Sequence, residues 1–136
     1  MLIDTHAHLN DNKYDSKKMH EIISNMTSDN LEKIITVSAS ITDSRENVVI
    51  ANENQNVYSA IGIHPENIDE VNEENLLELE KLATNKKVLA IGEIGLDYHY
   101  DGYNKQKQID GFLSQLKLAY KLKLPIVIHL RDAYED

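Results

Sequence analysis

The stretch LIDTHAHLN, residues 2–10, sets two histidines, His6 and His8, two positions apart directly after a short apolar run. Residues two apart in an extended chain point to the same side, so these imidazoles project together, with Asp4 behind them, and can share one cation. A pair of exposed loop histidines is the alternative, and the apolar strand that precedes them weighs against it. In VLAIGEIGLDYHYD, residues 88–101, Glu93 emerges among small and aliphatic residues. A buried carboxylate is costly unless it is paired, protonated or bound to a cation, so metal ligation would satisfy it; a Glu turned outward just past a strand would need no partner. The flanking Gly92 and Gly95 permit close backbone approach and favour the buried reading.

His129, in PIVIHLRD, stands at the end of another apolar run, and a core histidine bonded to backbone is its alternative role. His64 precedes Pro65, which holds it near the strand direction; gripping a substrate and shaping a turn both fit that position. Arg131, two residues beyond His129, can present a planar fork to a phosphate or pair with Asp132 or Glu135. Asp97 and Tyr98 either hydrogen-bond such a site from behind or shape the loop. His20 and His99 read as surface residues. Separate strands that each offer a metal-competent side chain at the same end of one sheet would bring those side chains together.

Apolar runs supply the strands: LID from Leu2, KIITVS from Lys33, VYSAIGI from Val57, VLAIGEIG from Val88 and PIVIHL from Pro125. Their near-continuous apolar character suits parallel strands covered on both faces. Helical spacing lies between them. Met19, Ile22, Ile23 and Met26 mark a helix from Ser16 to Met26 capped by Asp15, and RENVVIANEN after Asp43 carries a weaker signal. NEENLLELEKLA aligns Leu76, Leu79 and Leu82 behind a cap at Asn72 or Asn75. From Lys105 to Lys123 the expected buried stripe is Ile109, Phe112, Leu113, Leu116, Ala119 and Tyr120. The alternation calls for an α/β fold with a parallel sheet and right-handed crossovers. No GxGxxG follows the first strand, and the unusual residues sit in the loops after strands, so a barrel is expected over an open doubly wound sheet.

At 136 residues, 41% hydrophobic and 27% charged, residues 1–136 are expected to form a single domain. The chain has no cysteine, which excludes disulfides and thiolate sites and leaves nitrogen and oxygen to hold any metal. A net charge of −9 argues against a broad basic nucleic-acid interface. Cations held by carboxylates and imidazoles can nevertheless draw a phosphate into a cleft on an acidic protein. No apolar run approaches the roughly 18 residues of a membrane span, and the N-terminus lacks a basic-then-apolar signal, so no membrane partner and a cytoplasmic setting are expected.

Together, LIDTHAHLN, the GIHP of the third strand, GEIGLDY of the fourth and PIVIHLRDAYE resemble the TatD family of metal-dependent deoxyribonucleases in order, spacing and strand context, from Leu2 to Glu135. The resemblance implies a TIM-type (β/α)8 barrel that hydrolyses phosphodiester bonds of DNA, often from a 3′ end, using two divalent metal ions, Mg, Mn or Zn. It places His6 and His8 on one ion, Glu93 between both as bridge and catalytic group, and His129 on the second, with His64 and Arg131 as substrate contacts. Such a barrel takes about 250 residues, and this chain carries about its first five strands and four helices; a further histidine and an aspartate would come from later strands. The expected explanation is an N-terminal part of a longer enzyme. Self-association that completes a barrel through the open edges, and a half-barrel standing alone, are the other readings. The rival chemistry is amide or ester hydrolysis, because amidohydrolases share the barrel and the HxH pair; a carboxylated lysine near the fourth strand would favour it, and Glu93 fills that role here. A catalytically silent fold or interaction module is the reading from a different class.

Overall fold

Four polar side chains start the four α-helices of the computed structural model, which describes residues 2–136. Asp15 opens α1 (Ser16–Asn25), Ser40 opens α2 (Ile41–Glu53), Asn72 opens α3 (Glu73–Leu82) and Asn104 opens α4 (Lys105–Leu122). Each accepts the backbone N–H three residues on, satisfying a donor that the helix itself leaves orphaned. The cap at Ser40 starts α2 two residues before the expected Asp43, and Asn72, not Asn75, caps α3.

Between the helices run β1 (Leu2–Ala7), β2 (Leu31–Val37), β3 (Val57–Ile61), β4 (Val88–Asp97) and β5 (Ile126–Arg131). They pair parallel in the order β1-β2-β3-β4-β5, with no reversal of the kind that marks a doubly wound sheet. The sheet curls. A flat one would separate β1 from β4 by roughly 14 Å, three strand spacings, yet His6 of β1 places Nε2 3.1 Å from Oε2 of Glu93 on β4. Expectation and structure agree on a barrel-type parallel α/β fold.

Ile61, Ile63, Leu79, Ile91, Ile94 and Leu118 form the principal core, between β3 and β4 and helices α2, α3 and α4. A second core of Leu9, Met26, Ile34, Ile50, Ala51 and Val57 lies under α1 and α2, with Met19, Ile22 and Ile23 packed against it. Coverage on both faces, expected of every strand, holds for the middle of the sheet and fails at its margins. Leu2 and Ile3 of β1 are more than half exposed, and on β5 Ile126, Ile128 and Leu130 are exposed while the alternate residues are not.

The expected stripe of α4 is also corrected. Leu113 and Tyr120 face solvent, and Gln108 and Gln115 are buried in their stead. Both glutamines clip the backbone of a strand or its exit: Gln115 accepts from Ile63 N–H and donates to Ile63 C=O, and Gln108 does the same at Asp97. A side-chain amide carries the donor and the acceptor that this work requires, whereas leucine carries neither. Among the described residues, no helix is long and apolar enough to cross a membrane.

Candidate metal centre

His6 and Glu93 both lie where the strand ladder is irregular: the β1–β2 register shifts between Asp4 and Ala7, and the β4–β5 register shifts between Ile91 and Ile94. Such irregularities re-aim side chains out of the regular alternation, and here they turn an imidazole and a carboxylate toward one another across the curl. Backbone bonds fix both ends. Glu93 N–H donates to Ser38 C=O at 2.9 Å, and His6 N–H donates to Asp4 Oδ1 at 3.0 Å. A buried polar chain supports the rim below: Leu9 N–H to Thr36 Oγ1, Thr36 to Asn47 Oδ1, Asn47 to Ser38 Oγ, and Ser38 to Ala60 C=O. Sequence reasoning missed these residues and the glutamine clips; the signal available was polar Asn47 on the face of α2 that also carries Val48 and Ala51.

Around Glu93 the side chains form two groups. His6 and His8 bring Nε2 to 3.1 and 3.8 Å from Glu93 Oε2, and His129 brings Nδ1 to 3.0 Å from Oε1. Within the set His6, His8 and Glu93, and again within His64, Glu93 and His129, one donor atom per residue lies within 4.8 Å of the others. Imidazole nitrogen and carboxylate oxygen suit divalent metal ions, so the chemistry of these donor sets fits metal binding. The second set contains His64, which the sequence reading placed with the substrate. Its Nδ1 accepts the Glu66 N–H at 3.1 Å, so in the neutral ring Nε2 carries the proton. Burial, and then the neighbouring His129, lower the pKa of His64, which keeps the ring neutral.

Behind His129 stands Asp97, whose Oδ2 lies 2.9 Å from His129 Nε2. This carboxylate holds the far nitrogen of the imidazole and turns Nδ1 toward Glu93, the usual support of a metal-binding histidine. Arg131 in turn grips Asp97, with Nε 2.9 Å from Oδ2, and reaches Glu66 Oε1 at 3.3 Å. The fork expected to face a phosphate, or to pair with Asp132 or Glu135, is engaged by Asp97 and Glu66 within the protein. Asp97 raises the Arg131 pKa still further above its ordinary value. His99 is paired with Asp132 at the surface, and His20 is exposed on α1.

Burial alone would raise the pKa of Asp97, but bonds from Arg131, the His99 N–H and His129 outweigh it and bring the carboxyl down to about 2. A depressed folded-state value stabilises the fold above the unfolded pKa of about 3.9 and loses that contribution as pH falls toward 2. Asp97→Asn is therefore expected to flatten the loss of stability between pH 4 and 2, a contribution of roughly 2 kcal/mol, while lowering metal affinity about 10- to 100-fold at neutral pH. Urea melts across that range and calorimetric titration with Mn²⁺ check the two parts. Unchanged affinity would remove Asp97 from the support of the site.

The family model described as TatD related DNase matches residues 3–136. The uncharacterized metal-dependent hydrolase YabD of Bacillus subtilis is 40% identical over the whole chain, which covers 53% of that protein. The 3′-5′ ssDNA/RNA exonuclease TatD of Cronobacter sakazakii is 31% identical over 84% of the chain and 43% of its own length. Among solved structures, the TatD homologue YJJV of Escherichia coli superposes with a TM-score of 0.89 at 28% identity, over 98% of this chain and 52% of the other. The chain spans about half the length of the relatives it matches. Sequence match and superposition both run almost end to end over this curled sheet, and on that ground the chain belongs to the TatD related DNase family.

Proposed function

We propose that the complete protein of which this chain is part hydrolyses phosphodiester bonds of DNA with the help of two divalent cations. The observation that carries the reading is the sharing of Glu93 by imidazoles on two sides, His6 with His8 at Oε2 and His129 at Oε1. His6, His8 and Glu93 would hold one ion, and Glu93 with His129 the second. When bound, such a pair acidifies a water and stabilises charge on the attacking and leaving oxygens of a phosphodiester. Glu93, almost fully buried, fixes the spacing of the two sets. His129 is oriented by Asp97, and Arg131 acts through Asp97 as a positioning residue. His64 keeps the substrate role: a neutral ring whose Nδ1 already accepts a backbone N–H offers an Nε2–H donor, which suits a phosphate oxygen better than a cation.

The substrate class draws support from the Cronobacter relative, named a 3′-5′ ssDNA/RNA exonuclease. Calorimetric titration of the complete protein with Mn²⁺ is expected to show two ions per molecule, and with it a 5′-labelled single-stranded oligonucleotide is expected to shorten from its 3′ end only when the cation is present. Binding of a single ion would overturn the shared-carboxylate arrangement. Turnover of a cyclic amide with no cleavage of DNA would transfer the protein to the amidohydrolase reading.

A further inference from the structure

The loop that leaves β4, from Tyr98 to Asn104, builds a second feature beside the metal rim. Tyr98 and Tyr103 stack face to face, with centroids 4.6 Å apart and planes inclined by 12°. Tyr100 is held from another direction, with the Arg131 guanidinium 4.6 Å from its ring centre. Each ring is thus fixed by a protein partner, yet Tyr100 remains 57% exposed and Tyr103 45%. Both line a cavity of about 520 Å³, bounded on its other sides by Glu66, Asp69, Asp101 and Asn104. That volume lies within the roughly 300–1,000 Å³ of small-ligand sites.

The cavity adjoins the catalytic rim through Asp97, which lines it and also bonds His129, and through Glu66, which lines it and donates its N–H to His64. Its lining selects among the parts of a nucleotide. Lys107 also lines the cavity but is paired with Asp69, and Glu66 accepts from Arg131, so the carboxylates outnumber the one lining cation and disfavour a phosphate, while the remaining oxygens, those of Asp101 above all, can accept from the exocyclic amine of a base. Pre-oriented tyrosine rings offer the stacking surface by which unpaired bases are held without dependence on sequence. We infer that this cavity is a nucleobase subsite, in which Tyr100 and Tyr103 stack the base of a nucleotide flanking the phosphate at the metal rim. This rests on the phosphodiester reading and extends it: the substrate strand must be unpaired here, since a base within a duplex cannot reach the rings.

The test compares a short single-stranded oligoadenylate with an abasic strand of equal length, measuring binding to the chain by fluorescence anisotropy in the presence of Mn²⁺. The oligoadenylate is expected to bind roughly 5- to 100-fold more tightly, and Tyr100→Ala to remove most of that difference while Tyr100→Trp retains it. 2-Aminopurine in the strand is expected to be quenched on binding to the unsubstituted chain and not to Tyr100→Ala. Melting of both variants, monitored by circular dichroism, identifies any unfolding; should Tyr100→Ala unfold, the abasic comparison on the unsubstituted chain still decides. Equal affinity for the two strands, with cleavage intact, overturns the subsite and leaves the hydrolase reading standing. Base-dependent binding without cation-dependent cleavage does the reverse, and binding of neither strand overturns both.

Discussion

In the complete protein, Glu93→Ala is expected to lower the affinity for Mn²⁺ by more than about 100-fold and to reduce the proposed cation-dependent hydrolysis of single-stranded DNA to background. Both donor sets lose a member at once, because each includes the same carboxylate. Replacing a supporting residue that only orients a ligand costs about 10- to 100-fold in metal affinity, so removal of the shared ligand itself must exceed that. The fold should survive. Glu93 is held to the sheet through its backbone N–H, which alanine retains, and among the described residues its side-chain oxygens pair with the imidazoles of the site. Titration calorimetry measures the first effect and circular dichroism the second. An alanine variant that still took up two ions with ordinary affinity would refute the bridge.

The second large effect is mechanical. Gly95 pairs with His129 across the β4–β5 ladder, and a Cβ placed on Gly95 would stand 2.0 Å from the His129 carbonyl oxygen and 2.9 Å from its carbonyl carbon. Real Cβ atoms do not approach backbone so closely, and at φ +151° the position also lies outside the conformations most side chains adopt. Gly95→Ala therefore has to push β5 away from β4, which is expected to cost about 3 kcal/mol or more and to carry His129 out of reach of Glu93. Gly102→Ala is the control. Its φ is also positive, at +87°, but nothing lies within 4 Å of the added carbon, so only the dihedral cost of about 1–2 kcal/mol applies. Urea denaturation of the two variants separates steric from conformational strain, and equal destabilisation would rule out the steric account.

Much of this architecture was legible from residue pattern because it rests on local rules. Apolar runs alternating with helical periodicity announced parallel strands and crossovers, Asp15 announced its helix start, and the glycines beside Glu93 announced a close approach that the β4–β5 contact displays. His6, His8, Glu93 and His129 could be nominated because imidazole and carboxylate at strand ends have few inexpensive alternatives. Their convergence at one rim was expected from the shared strand ends, but its distances could not be read the same way. They depend on the curl of the sheet and on two shifts of register, neither of which leaves a periodic trace in composition.

Gln108 and Gln115 were hidden for a related reason. Their burial is favourable only because particular backbone donors and acceptors at Asp97 and Ile63 happen to face α4, a fact of packing rather than propensity. Arg131 shows the same division. Its planar fork was evident from residue type, but its carboxylate partner within the fold, Asp97, lies beside it on the next strand and 34 residues away along the chain. Side-chain chemistry is inherited from residue identity, whereas partnership is a matter of distance, and distance between remote segments is set by how the whole sheet bends.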